Sequence, residues 1–372
     1  MTQPRTYLDF NASAPLRPQA REAMLAALDV AGNASSVHAE GRRARAIVDE
    51  ARDAVAALVN ARASEVVFTS GATESNTWAL SGPWERIAFA DVEHDSIRAP
   101  AALIASKRGC EQIRLPVSLD GTADFKGVAP SANTLLVLQM ANNETGVLQD
   151  VGAAGRWATE NGARLHTDAV QAPGRTPIDF AQMGAHTMSL SAHKIGGPKG
   201  VGALVIGAGV ALDPIFAGGG QEQRRRAGTE NVAAIAGFGA AARAALDDLK
   251  AAPRMIALRD ELEAAVIAAT PQAVVVGRDA PRLCNTSMIA LPGASAETAV
   301  IKLDLKGIAV SAGSACSSGK VGESHVLRAM GLSSEIAKSA IRVSLGPSTT
   351  DQDIAAFVAA WRDIHGGASL AA

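Results

Sequence analysis

Cysteine, tyrosine and surplus charge are all scarce in this chain: three cysteines, one tyrosine and a formal net charge of -2 in 372 residues. Cys110, Cys284 and Cys316 are odd in number, far apart and without a CxxC pair. That argues against a disulfide framework and a cysteine-rich zinc site, and leaves the question of whether one of them is a nucleophile. Aromatic residues make up 3%, too few for a base-stacking nucleic-acid surface. The near-neutral balance supplies no basic field to hold nucleic acid or an acidic membrane. No apolar run is long enough to span a bilayer. The first residues, MTQPRTYLDF, lack the charged and apolar regions of a secretion signal. The expectation is a cytoplasmic protein with no nucleic-acid or membrane partner.

What is present is a hydrophobic share of 48% over a length that suits two cores rather than one. Short apolar runs at 66–69, 87–90, 135–138, 164–168, 188–191 and 203–206 read as strands. Helical patterns at 75–80, 96–106 and 151–161 lie between them. Such alternation predicts a mainly parallel sheet covered on both faces, with ligand sites beyond the strand ends. Amphipathic spacing predicts long helices over 38–59 and 232–252. From about Pro253 the pattern restarts, with helices at 254–270, 295–306, 323–330 and 350–364 and strands at 272–276, 285–290, 308–310 and 340–345. The expected division is a large domain over 15–252 and a small domain formed by 1–14 and 253–372.

Four local stretches carry chemistry. Ser191-Ala192-His193-Lys194 ends an apolar strand before a glycine-rich turn. A lysine there, beside other cations and partly buried, has its pKa lowered and can attack an aldehyde; a solvated loop lysine fits equally. Ser70-Gly71-Ala72-Thr73-Glu74 follows a strand and opens a helix. Its free N–H groups would seat a phosphate, although simple capping also accounts for it. Asp168, just past a strand, could pair with a protonated ring nitrogen or cap a turn; with His166 it makes only a weak metal pair. In Gly313-Ser314-Ala315-Cys316-Ser317-Ser318-Gly319, small residues flank a cysteine, the composition of a loop that exposes a thiol. Cys110 and Cys284 sit in or beside apolar elements and read as inert. Gly313 to Lys320 falls short of a P-loop, because five residues separate its glycines and Val321 follows the lysine.

Taken in order, these pieces resemble the cysteine desulfurases of the NifS/IscS type, in the class V aminotransferase group of fold-type I pyridoxal-phosphate (PLP) enzymes. The resemblance runs from Tyr7 to about Thr350. It also includes Glu93-His94, Asn142-Asn143-Glu144-Thr145-Gly146, His166-Thr167-Asp168-Ala169-Val170-Gln171, Gly228-Thr229-Glu230-Asn231 and Ile341-Arg342-Val343-Ser344. Phe10 and Ser13 stand where the group more often has Asn and Thr, and Ala192 where it often has Gly.

The resemblance implies an α/β fold, with a mainly parallel seven-stranded sheet in the large domain and a smaller α/β C-terminal domain. It implies PLP as cofactor, carried on Lys194, which also moves the substrate proton. Asp168 would pair with the pyridine nitrogen, Gln171 would touch the ring hydroxyl, and His94 would stack on the ring and act in proton transfer. Ala72, Thr73, Ser191 and His193 would hold the phosphate. Thr229 would reach the cofactor phosphate of a neighbouring subunit, which implies a homodimer. Asn143 would contact the cofactor and, with Asn11 and Arg342, hold the substrate carboxylate. Cys316 would receive sulfur from L-cysteine as a persulfide and pass it to an acceptor protein such as an iron–sulfur scaffold, supplying cluster assembly or thiolation. The rival readings are a selenocysteine lyase or other PLP-dependent β-lyase, and a sulfur carrier without catalysis.

Overall fold

The computed structural model describes residues 5–129, 131, 133–313 and 322–365. The N-terminal half builds β1 (Thr6–Tyr7), α1 (Pro18–Leu28), α2 (Ala39–Leu58), β2 (Val66–Thr69), α3 (Ala72–Leu80), β3 (Arg86–Ala90), α4 (Asp95–Arg108), β4 (Glu111–Leu115) and β5 (Thr134–Val137). It continues with α5 (Val151–Glu160), β6 (Arg164–Asp168), β7 (Thr187–Ser191), β8 (Gly202–Ile206) and α6 (Val232–Asp248). Then come α7 (Ala252–Ala269), β9 (Val274–Val276), β10 (Thr286–Ala290), α8 (Ala296–Leu305), β11 (Ile308–Ala309), β12 (Ser311–Ala312), α9 (His325–Ala329), α10 (Ser334–Ser339), β13 (Ala340–Ser344) and α11 (Asp351–His365).

The larger sheet has seven strands in the order β2-β8-β7-β6-β5-β3-β4. Among its strands only β8 runs antiparallel to its neighbours. Side chains alternate across a strand, and here both faces are apolar. On one face Val66, Phe68, Leu190 and Val205 pack against α2 and α6. On the other, Val67 and Leu204 meet Trp78 of α3, and Phe89 and Val137 meet Ile97 of α4. This sandwich gives the buried strands their unbroken hydrophobic runs.

A second sheet, β12-β13-β10-β9, is antiparallel throughout, and its core includes Ile289, Val343, Phe357 and Trp361. The N-terminal segment joins the two sheets. Strand β1 pairs with β11, Asp9 bridges Ser344, and the Ala14 N–H reaches the His193 carbonyl at 2.9 Å.

The structure departs from the sequence pattern at four places. Strand β4 was not expected because Glu-Gln-Ile-Arg-Leu is a half-exposed edge strand with charged positions. Helix α1, opened by Pro18 at its first position, and the six-residue α10 were likewise not read. The expected strand at 308–310 is split, with β11 pairing β1 and β12 pairing β13.

Candidate active site

Six strands of the larger sheet share one direction, so Thr69, Ala90, Val137, Asp168 and Ser191 bring their C-terminal ends to the same edge. Beyond that edge lies a cavity of about 640 Å³ lined by residues of the loops that follow these ends. Asn11 and Arg342 close it from the side of the N-terminal segment and β13. The volume suits a small cofactor with its substrate.

Lys194 ends the 3-10 turn that follows β7 and lines the cavity. Its Nζ donates to the Asn11 carbonyl at 2.6 Å and to the Ala12 carbonyl at 3.0 Å. Asp168, 8% exposed, ends β6. Its Oδ1 accepts from the Val170 N–H at 3.0 Å, and its Oδ2 accepts from Asn76 Nδ2 at 2.7 Å. The carboxylate is thus held in one orientation before anything binds. Gln171 donates to the Asn11 carbonyl at 3.0 Å, and its Oε1 accepts from the half-buried Arg175. Burial holds Arg175 down at about 10.

His94 is the N-cap of α4, and its Nδ1 accepts from the Ser96 N–H at 3.0 Å. Burial lowers its basicity, with the Lys194 cation acting the same way and Asp168 opposing. His193 lies 3.3 Å from Ser13 Oγ through Nδ1, and burial, reinforced by Lys194 and Lys199, pulls it down to about 4. Both imidazoles are therefore neutral near pH 7.

Ala72 and Thr73 open α3 and line the cavity together with Ser191. Gly71, at φ +154° and ψ 175°, occupies a region essentially reserved for glycine, and this lets the chain turn from β2 into the helix. The helix N-terminus, its unpaired N–H groups and the two hydroxyls form a seat for a phosphate.

Arg342 on β13 is 2% exposed. Nη2 pairs with Asp9 Oδ1 at 2.8 Å and Nη1 donates to the Asn143 carbonyl at 3.1 Å. Its buried Nε has no partner among the described residues. Arg342 lines the cavity, and a guanidinium there suits an anionic ligand. Asn143 lines the cavity, while the Asn11 amide is engaged with the Asn143 carbonyl, Thr286 Oγ1 and Asn285. Asn11 therefore ties the N-terminal segment to the cavity wall, and its backbone carbonyl faces Lys194.

One residue of the expected set lies elsewhere. Thr229 is exposed and lines a separate surface pocket with Phe216 and Arg226. Cys316 falls outside the described residues. Cys110 and Cys284 are buried, and burial pushes both thiols up in pKa, away from reactivity. Sequence reasoning missed three buried residues under the cavity, Asn76, Ser96 and Thr187, which join His166 to Asp168 and His94. No sequence spacing signals them, because their partners come together only through the topology of the sheet.

An amine, an oriented carboxylate, a helix N-terminus and a guanidinium therefore line one cavity. Residues 6–357 match the profile of the aminotransferase class-V family. The chain is 42% identical over 361 residues to the cysteine desulfurase of Cereibacter sphaeroides, covering 94% of this chain and 93% of that one. It is 39% identical over 360 residues to cysteine desulfurase NifS of Azotobacter vinelandii, covering 94% and 89%. The crystal structure of a NifS-like protein from Rickettsia africae ESF-5 superposes with a TM-score of 0.89 at 33% identity, over 97% of this chain and 99% of that chain. The chain belongs to the class-V aminotransferase family, among its cysteine desulfurases of the NifS/IscS type.

Proposed function

We propose that the protein is a PLP-dependent cysteine desulfurase that converts L-cysteine to L-alanine and takes the sulfur as a persulfide on Cys316. The observation that carries this reading is the convergence of Lys194, Asp168, the α3 N-terminus and Arg342 on one cavity. The donor set fits the cofactor: an amine for its aldehyde, a carboxylate for its ring nitrogen, and helix N–H groups with Thr73 and Ser191 for its phosphate. When bound, PLP supplies an electron sink for bonds at the substrate's α and β carbons.

The chain's own groups do the rest. Asp168, held by Asn76 and the Val170 N–H, keeps a negative charge at the ring nitrogen position. Arg342 would hold the substrate carboxylate at the cavity wall, with Asn143 beside it, while Asp9 fixes the guanidinium plane. Lys194, which would hold the cofactor's aldehyde, would also move the proton at the substrate's α carbon. The Cys316 thiolate is the nucleophile toward the substrate sulfur.

The larger sheet within 66–206 and the smaller within 274–344 support a division into a domain over 15–252 and one formed by 1–14 and 253–372. The exposure of Thr229, away from the cavity, supports its contribution to a neighbouring subunit's phosphate seat in a homodimer. No helix among the described residues is long and apolar enough to cross a membrane. The reading places the enzyme in the cytoplasm, handing sulfur to an acceptor protein for iron–sulfur assembly or thiolation.

The test uses Cys316→Ser. The variant should bind PLP and change its visible absorbance on addition of L-cysteine, yet release little sulfide. Sulfide release at the wild-type rate would remove Cys316 from the reaction and favour a simple β-lyase.

A further inference from the structure

A buried polar chain runs beneath the cavity and reaches two of its walls. Asn76, on α3, is fully buried and donates through Nδ2 to Asp168 Oδ2 at 2.7 Å and to Ser96 Oγ at 2.8 Å. A carboxylate can only accept, so the amide nitrogen must face it and Oδ1 must face His166. His166 Nε2 lies 2.9 Å from that oxygen and therefore carries the ring proton. Its Nδ1, 2.8 Å from Thr187 Oγ1, accepts from the hydroxyl. Burial holds His166 at about 3, so it stays neutral.

The same logic passes to His94. Ser96 Oγ accepts from Asn76, which leaves its single proton for His94 Nδ1, 2.8 Å away. The Ser96 backbone N–H points at the same nitrogen at 3.0 Å. Two donors converge on one ring nitrogen, so that nitrogen carries no proton. His94 also caps the positive end of α4, which disfavours an added charge. The groups that bear on it are Asp168 and Asp95, which favour protonation, and Lys194, which opposes it; His325 lies within electrostatic reach.

We propose that His94 presents a fixed Nε2–H donor to the cavity, and that Asn76 is the positioning residue that sets this tautomer and the Asp168 carboxylate together. A proton already sits on the cavity-facing nitrogen, so His94 can donate a hydrogen bond there but cannot take up a proton there. The catalytic meaning of this tautomer rests on the proposed cofactor reading; the tautomer itself does not.

The test is a long-range proton–nitrogen correlation spectrum of the holoprotein labelled with ¹⁵N-histidine, with His94→Gln used to assign the signal. The expected result is an Nε2–H pattern for His94 that does not change between about pH 7.5 and pH 9. An Nδ1–H pattern, or a titration within that range, overturns the proposal. Asn76→Ser and Ser96→Ala should each raise the His94 midpoint by roughly one pH unit or more. Folded variants with unchanged His94 signals overturn the role of Asn76, and Ser96→Ala decides it if Asn76→Ser does not fold. Loss of the cysteine reaction with the predicted tautomer intact would count against the proposed function and leave this inference standing.

Discussion

Asp168 shows how a single side chain is prepared for its chemistry. Both of its oxygens are already occupied by donors, one from the backbone and one from Asn76, so no reorientation is needed when a cationic ring arrives. Asp168→Asn keeps the shape and removes the charge. Losing one partner of a buried ion pair costs about 3–5 kcal/mol, so alanine formation should fall about 10²- to 10³-fold or more. Turnover within a factor of about three of wild type would refute the charge assignment.

Glu93, next to His94, is a different case. It is fully buried, its Oε1 accepts from the Gln139 N–H at 2.7 Å, and burial raises its pKa to about 8. A carboxyl raised above its unfolded value contributes stability below about pH 4.5 and loses that contribution as pH climbs through about 8. Glu144, raised to about 7 by burial and bonded to Ser324 Oγ at 2.5 Å, acts in the same direction. Glu93→Gln cannot titrate. Its melting temperature relative to wild type should therefore rise from about pH 5 to about pH 9. A constant difference would show that Glu93 is not held protonated.

At the scale of elements, the phosphate seat depends on how tightly β8 meets the β2–α3 turn. Gly202 pairs with both Thr69 and Ser191, at the ends of β2 and β7. A Cβ there would lie 2.6 Å from the Leu190 carbonyl oxygen and 2.8 Å from Gly71 Cα. Gly202→Ala must push either the strand or the turn. It should lower stability by about 1–3 kcal/mol and weaken PLP binding in an apoenzyme titration. Unchanged PLP affinity would separate the turn from the phosphate seat.

Much of this region was legible in the sequence because each chemical group sits at the end of its own strand. Ser70–Thr73, Asp168 and Ser191–Lys194 each combine an apolar run, a turn and a reactive side chain within a few residues. Edge strand β4 was not legible, since Glu111 and Arg114 break the apolar pattern on a face that solvent reaches. Nor was the polar chain under the cavity. Asn76 and His166 are 90 positions apart and meet only because α3 packs across the strand ends. His166 faces Thr187 because β6 and β7 run parallel in that register.

At the scale of the whole molecule, the N-terminal segment is the piece that makes one site from two sheets. Its β1 end pairs with β11, its Asp9 holds Arg342, and its Asn11 and Ala12 carbonyls receive Lys194. The exposed Thr229 lies away from this site, and the proposed homodimer would bring it to a neighbouring subunit's cavity. Sedimentation should give the mass of two chains, and Thr229→Val should weaken PLP binding without changing that mass. A monomer with full PLP affinity would contradict the shared seat.

The central claim is a chemical conversion, and product stoichiometry tests it most directly. Purified holoprotein given L-cysteine and a thiol reductant should form alanine and sulfide in equal amounts, and Lys194→Ala should form neither. Pyruvate and ammonia in place of alanine, or equal activity without Lys194, would contradict the account.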